Sequence, residues 1–334
     1  MPVQRITMED VARQAGVSLM TVSRVINHKD GISDATRRRV QKIIDQLGYR
    51  PSDIARSLVT DRTSTIGLVV IDNSNPFFSE VARGVEHAAY AEGYNVLLCN
   101  TNEDTERELA VLRSLEEKRV DGVILCSPRL DENSLQNALQ QQAAVVLINR
   151  RLSDPRFGMI ILNDVRGGRM ATEHLLSRGH KAIGFLSGPQ NSYSGQMRAK
   201  GYCVALEAAG IGYRAEWVRH CWPVVESGRL ETYKLLTAQP EITAVFCYND
   251  LSAIGAMHAC MELGRRIPDD ISIVGFDNIP FAAWVTPSLT TCHIPMYDVG
   301  NQAMQLLSEF INSCSGNCQD ILIEPELIVR NSAP

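Results

Sequence analysis

Over the first 48 positions apolar residues recur at spacings of one, three and four, a rhythm that predicts three short helices. Thr7, with Asp10 three residues on, reads as a helix start, and Val11, Ala12 and Ala15 form one apolar stripe before Gly16 ends the run. Ser18 then caps a second helix whose Val22, Val25 and Ile26 face inward, which turns Leu19, Met20, Ser23 and Arg24 elsewhere. A third segment starts at Ser33, carries Val40, Ile43, Ile44 and Leu47 to the same core and stops at Gly48. Two helices joined at a tight glycine turn and closed by a third have the form of a helix-turn-helix, in which the second helix lies in a DNA major groove. A small helical bundle that binds nothing is the plainer alternative, but Leu19 and Met20 beside Arg24 make a poor solvent face and a good reader of base edges. In the next stretch, GYRPSDIARSLVTDRTS, Pro51 stops the third helix, and Ser52 and Asp53 can cap a further turn or two holding Ile54, Ala55 and Leu58. So short a helix needs DNA or a partner chain to persist, and a plain linker is its alternative.

After Ser64 the rhythm changes to short apolar runs alternating with helical stretches. TIGLVVI, NVLLCN, DGVILCS and AVVLIN have the character of strands buried on both faces of a parallel sheet. From Met159 the alternation repeats with MIILN, AIGFLSG, AVFCYND and ISIVGFD. The expectation is a doubled α/β unit, two lobes with a ligand cleft between the carboxyl ends of their strands.

Charge sharpens this division. Residues 1–62 carry 11 Lys/Arg against 7 Asp/Glu, net +4, and the remainder carries 22 against 31, net -9, so a polyanion is expected to meet the head alone. No apolar run approaches the roughly 20 residues that cross a bilayer, and no signal-peptide pattern opens the chain, so a cytoplasmic protein without a membrane partner is expected. The nine cysteines sit mostly in apolar runs, where a reduced thiol acts as a small hydrophobe; Cys314 and Cys318 lack further ligands for zinc. His174 and His180 also lack partners at ligand spacing and read as surface or capping residues. Phosphate-loop, zinc-protease, nucleophile-elbow and dinucleotide-binding motifs are missing, which argues against an enzyme, and no metal or cofactor is implied.

The strand ends then supply the candidate ligand residues: Asp72, Asn73, Asn75, Pro76, Phe77 and Phe78 in the first lobe, with Asn149 and Arg150. The second half adds Arg198, Trp222, Asn249, Asp250 and Asp277. Amides and carboxylates can share hydroxyl protons while a ring covers an apolar face, which suits a polyhydroxylated ligand. Taken singly, the same residues are ordinary turn formers.

DVARQAGVSLMTVSRVIN, GYRPSDIARSL and the two-lobed body together resemble the LacI/GalR family of bacterial transcription regulators over essentially the whole chain. The resemblance implies a homodimeric repressor of carbohydrate genes on a pseudo-palindromic operator, with a helix-turn-helix domain at 1–49, a hinge helix and linker at 50–62, and a periplasmic-binding-protein-like body at 63–334. Within that body it implies an N-lobe of about 63–163 and 293–324 and a C-lobe of about 164–292 and 325–334. Leu19, Met20 and Arg24 would read bases, Ala55 and Leu58 would lie on the hinge helix with Leu58 in the minor groove, and Thr7, Ser18, Thr21, Ser23, Asn27 and Tyr49 would complete the DNA surface. Asp72, Asn75, Phe77, Phe78, Asn149, Arg198, Trp222, Asn249 and Asp277 would hold the effector, and Asp250 matches a further cleft position. Ser52 stands where asparagine is frequent, and TTCHIP departs from the polar contact of some members. LINRRL favours a sugar; a purine or other metabolite on the same scaffold, or a sugar-binding protein without a regulatory role, are the alternatives.

Overall fold

The computed structural model describes residues 6–27, 29–50, 62–312 and 320–334. Ala55 and Leu58, the proposed hinge helix around them, and Cys314 and Cys318 lie outside the described residues. The chain forms two compact units, Met1–Thr63 and Ser64–Pro334.

In the first unit, α1 (Met8–Ala15), α2 (Leu19–Ile26) and α3 (Asp34–Leu47) begin and end on local chemistry. Thr7 and Asp10 cap one another reciprocally: Asp10 N–H donates to Thr7 Oγ1 at 3.3 Å and Thr7 N–H to Asp10 Oδ2 at 3.0 Å. Ser18 accepts from Thr21 N–H at 3.2 Å and Ser33 from Thr36 N–H at 3.3 Å. Gly16 (φ 62°) and Gly48 (φ 60°) close their helices in the left-handed region, where a side chain would be strained. Val11, Val22, Val25, Val40 and Ile44 form the core, with Ile26, Ile43 and Leu47 packed around it. Tyr49 belongs to this core at 8% exposure, so its ring packs among helices instead of lying on the surface assigned to DNA.

The second unit holds two six-stranded sheets of like design. The first contains β1 (Thr65–Val70), β2 (Asn95–Asn100), β3 (Gly122–Cys126), β4 (Val145–Ile148), β5 (Gly158–Leu162) and β11 (Ile321–Ile323), in the order β11-β5-β4-β3-β1-β2. The second contains β6 (Ile183–Leu186), β7 (Val218–Arg219), β8 (Ala244–Cys247), β9 (Ser272–Asp277), β10 (Thr290–His293) and β12 (Glu326–Ile328), in the order β12-β10-β9-β8-β6-β7. All pairs are parallel except β10 with β12. Helices α4 (Pro76–Ala91), α5 (Thr105–Glu117), α6 (Glu132–Leu139) and α11 (Met296–Asn312) serve the first lobe, and α7 (Asp164–Ser177), α8 (Tyr193–Ala208), α9 (Val225–Ala238) and α10 (Asp250–Glu262) the second. The chain passes between lobes after β5, after β10 and after β11.

Two expectations need correction. MIILN is not the first strand of the repeat: as β5 it pairs with β4, and the second sheet begins at β6. NVLLCN is not buried on both faces; as β2 it is the sheet's edge, with Leu97 and Leu98 exposed.

Reciprocal glycines bring paired helices close. A Cβ at Gly168 of α7 would stand 2.3 Å from the Arg198 carbonyl oxygen, and one at Gly201 of α8 would stand 2.2 Å from that of Val165. Gly84 and Gly300 do the same for α4 and α11, and Gly228 and Gly255 for α9 and α10.

Candidate functional site

In both sheets the order reverses direction between the first strand and its neighbour, β1 with β3 and β6 with β8, and ligands of open α/β sheets bind beyond the carboxyl ends of strands at such a point. Several of those ends turn through left-handed backbone at residues other than glycine: Ser127 (φ 55°), Asn149 (φ 56°) and Asp277 (φ 108°). Such backbone costs about 1–3 kcal/mol per residue and collects where a side chain must be aimed. Asn75 caps α4 by accepting from Phe77 N–H at 3.0 Å, which leaves its amide NH2 as a donor. Phe77 and Phe78 meet edge to face at 5.2 Å. From the second lobe, Asn249 caps α10 through Ser252 N–H at 2.9 Å. Asn75, Phe77, Phe78, Asn149, Arg198, Asn249 and Asp277 thus line one narrow cavity between the lobes, joined there by Glu103, Ser127, Arg129, Ser194, Pro223 and Tyr248.

Arg198 is the centre of its polar wall. Its Nε donates to Asp164 Oδ1 at 2.8 Å, its Nη1 donates to the Tyr248 carbonyl, and Asp277 Oδ1 stands 3.7 Å from its Nη2. Its plane lies 3.6 Å from the centre of the Phe276 ring. Burial works against the guanidinium charge, but Asp164, Asp277 and Tyr248 outweigh it and hold the pKa above the ordinary value. The two carboxylates are both displaced upward, chiefly by burial, with Arg198 only partly compensating. Asn149 Oδ1 is buried without a protein partner, so it offers an acceptor to a ligand.

A second buried cation was missed in the sequence. Arg129 grips Glu103 with both Nε (2.5 Å) and Nη2 (2.9 Å), and its Nη1 donates to the Ser127 carbonyl at 3.0 Å. Its own N–H donates to Glu108 Oε2 at 2.8 Å, so a buried carboxylate on α5 shapes the loop that presents it. Burial opposes the Arg129 charge; Tyr248 of the other lobe and Glu103 more than restore it and hold the pKa above the ordinary value.

Asp72 and Trp222 do not reach this cavity. They line a wider adjoining outer chamber with Ile71, Phe78, Val224 and Leu251, where Trp222 is 56% exposed. Asn73 and Asn100 pair their side-chain amides on the surface. Asp250 is the clearest correction: it sits beside Asn249 in sequence but points into the lobe, accepting from Thr291 Oγ1 at 2.6 Å and from Ile279 N–H at 2.8 Å. Burial lifts its pKa to about 7. A raised carboxylate pKa favours folding fully below about pH 4, and that contribution is lost as pH rises through about 7, up to roughly 4 kcal/mol. The melting temperature is therefore expected to fall between pH 5 and pH 8, and Asp250→Asn to flatten the fall; an equal slope in the variant would refute the assignment.

On the first unit, Leu19 and Met20 are 45% and 68% exposed, and Arg24 and Asn27 are exposed beside them on α2 or at its end. Ser18 and Thr21 share a hydrogen bond at 3.0 Å, and Asn27 donates to the Ser23 carbonyl at 2.9 Å, so these polar groups keep partners within the helix.

Residues 63–331 match the family described as periplasmic binding proteins and sugar binding domain of LacI family, and residues 7–52 match the lacI family of bacterial regulatory proteins. The chain belongs to the LacI family. As a LacI-family protein it is a transcriptional repressor and not an enzyme. The HTH-type transcriptional repressor PurR of Vibrio vulnificus is 39% identical over 329 residues, 98% of each chain. Among solved structures, the lac repressor dimer bound to operator and the anti-inducer ONPF has a TM-score of 0.86 at 28% identity, covering 99% of both chains. A complex of the transcriptional regulator CelR with cellobiose has a TM-score of 0.75 at 32% identity, covering 98% of this chain and all of that one. No helix among the described residues of this LacI-family chain is long and apolar enough to cross a membrane.

Proposed function

We propose that this repressor acts as a homodimer in the cytoplasm on a pseudo-palindromic operator, and that a neutral polyhydroxylated molecule of the sugar class sets its affinity for DNA. Residues 1–49 form the reader, 50–62 the link and 63–334 the sensor. The observation that carries the ligand reading is the mixture of groups around the inner cavity. Spare donors on Asn75 and Arg198 face acceptors on Asn149 and Asp277, and hydroxyls can satisfy both kinds at once. Trp222 in the outer chamber offers a ring face for the apolar side of a sugar. A purine is the second reading: the relatives named PurR favour it, and Phe77 and Phe78 could pack against a flat base. The dimer reading draws on the lac repressor dimer and on apolar surface left exposed here, Leu97 and Leu98 on β2 and the Phe281–Trp284 pair.

A thermal-shift panel of sugars, sugar phosphates and purines tests the ligand, because a molecule that binds only the native state raises the melting temperature. A shift with a sugar, lost in Asp277→Ala, is expected; a shift with a purine and with no sugar would transfer the assignment to the purine.

For DNA, Leu19, Met20 and Arg24 on the exposed face of α2 would meet base edges, the guanidinium spanning the two acceptors of guanine. Thr7, Ser18, Thr21, Ser23 and Asn27 would position α2 against phosphates. Duplexes selected from a random pool should lose about 1–3 kcal/mol of affinity for Arg24→Ala at fixed salt, with relaxed preference at one base pair per half-site. Unchanged anisotropy titrations would remove Arg24 from the reading surface.

A further inference from the structure

The carboxyl end of β9 holds two successive residues other than glycine in the left-handed region, Asp277 (φ 108°) and Asn278 (φ 59°). Backbone of that kind persists only where its surroundings impose it. Asp250, at the start of α10, accepts from Ile279 N–H at 2.8 Å, and Thr291 Oγ1 on β10 accepts from Asn278 N–H at 3.3 Å. The Asn278 side chain is held as well. Its Oδ1 accepts from Arg330 Nη2 of the C-terminal tail at 2.7 Å, while Nη1 of the same guanidinium donates to the Leu289 carbonyl at 2.8 Å. A guanidinium only donates, so the amide has one orientation, and its Nδ2 donates to His293 Nδ1 at 3.2 Å. His293 ends β10 in register with Asp277, and Ile294 N–H donates to the Asp277 carbonyl at 3.3 Å. Residues 293–295 form the second passage between the lobes, and α11 of the first lobe begins at Met296. The dipeptide that brings a carboxylate to the inner cavity is thus bonded on its far side to that passage.

We propose that Asn278, gripped by Arg330 and His293, is a positioning residue that fixes Asp277 at the cavity and makes the passage into α11 respond to what that carboxylate holds. Arg198 draws Asp277 from the cavity side, its Nη2 3.7 Å from Oδ1, and a ligand hydroxyl would compete for the same oxygen. Any change in that pull must turn the left-handed backbone. With the Asn278 side chain tied at both ends, the turn reaches His293 instead of being absorbed in the loop. From there α11 carries it on, because α11 meets α4 at Gly300 and Gly84, where neither helix has room for a Cβ. Helix α4 in turn begins with Phe77 and Phe78 on the opposite side of the cavity. The inference rests on Asp277 as a ligand group and holds for a sugar and a purine alike.

Hydrogen–deuterium exchange of the full chain without ligand, read over residues 293–299 at one fixed pH, tests the brace. Asn278→Gly deletes the side chain yet accepts left-handed backbone, and it is expected to speed exchange there about tenfold, the scale of a lost hydrogen bond. Asp277→Asn keeps the shape of the cavity group and removes its charge. It should change exchange over 293–299 about threefold in the parent chain and leave it unchanged in Asn278→Gly, because the coupling runs through the deleted side chain. Support of the fold alone would give Asp277→Asn the same effect in both backgrounds. Asn278→Asp is the conservative rescue: it still accepts from Arg330, and it restores the second bond once His293 carries its proton on Nδ1. Exchange should then return toward the parent rate, and the 15N spectrum of histidine-labelled protein should show His293 switched from the Nε2–H form to one protonated at Nδ1. Interior amides of β1 and β9, protected in every variant, separate loosening from unfolding. Unaltered exchange over 293–299 in Asn278→Gly, an equal effect of Asp277→Asn in both backgrounds, or an unchanged His293 spectrum in Asn278→Asp would overturn the brace. The experiment needs no ligand, so its failure and the failure of the sugar reading are told apart.

Discussion

Arg198→Ala is expected to lower the melting temperature by on the order of 10 °C at pH 8, because it leaves two buried carboxylates without their shared cation. Removing one partner of a buried ion pair costs about 3–5 kcal/mol, and each kcal/mol shifts a body of this size by roughly 2–4 °C. Asp164 and Asp277 already titrate high through burial. Without the guanidinium they would rise further, so the variant should recover stability as pH falls and the two acids take up protons. Arg198→Lys should rescue little: one ammonium cannot serve Asp164, Asp277 and the Tyr248 carbonyl in the plane that also stacks on Phe276. Calorimetry at pH 5 and pH 8 checks both statements. A loss of similar size at the two pH values would mean that packing against Phe276, and not charge, is what Arg198 provides.

The second large effect is expected from Gly201→Ala. The added methyl would meet the Val165 carbonyl at 2.2 Å and the Arg169 N–H nitrogen at 2.5 Å, both backbone atoms that cannot rotate away. Helices α7 and α8 must part, at a cost of about 1–3 kcal/mol or more. The damage should not stop at stability. Arg198 lies one turn earlier on α8, and its partner Asp164 begins α7, so parting the helices lengthens the ion pair at the cavity wall. Gly212→Ala is the control, since a Cβ there meets nothing within 4 Å. The variant at 201 should lose both melting temperature and ligand-induced shift, and the control neither; retention of the ligand shift at 201 would separate the helix crossing from the site.

Both residues show how far the sequence could be read. Asp277 closes β9 at a recognisable strand end, Arg198 lies in the second turn of α8 where only the family resemblance singled it out, and the capping pairs Thr7–Asp10 and Ser18–Thr21 declare themselves within four residues. Local chemistry of that kind survives folding because its partners are close in sequence. Glu103 and Arg129 are 26 residues apart and read as solvated charges in polar loops, since only the pairing of β1 with β2 and β3 brings them together. Their one available signal was position: Ser127 through Arg129 follow a strand end as directly as Asn149 does. Asp250 failed for the opposite reason. A one-residue step at a helix start swings the side chain by about 100°, so Asn249 borders the cleft while Asp250 braces Thr291 behind it. The edge position of β2 and the membership of β5 were hidden likewise, because an apolar run does not reveal how many neighbours its strand will have.

The placing of β11 and β12 bears on the order in which the protein is made. Each is the outermost strand of its sheet, and both come from residues 321–328, after every other strand has been synthesised. Arg330 and Ser332 then tie the tail to Leu289, Asn278 and Thr290 beside Asp277. On the ribosome the three helices of the first unit can close early from neighbouring residues, whereas neither lobe can cover its last sheet edge until synthesis is nearly over. A nascent chain would therefore display a finished reader well before it owns a sensor, and a truncated product could occupy DNA while deaf to the metabolite.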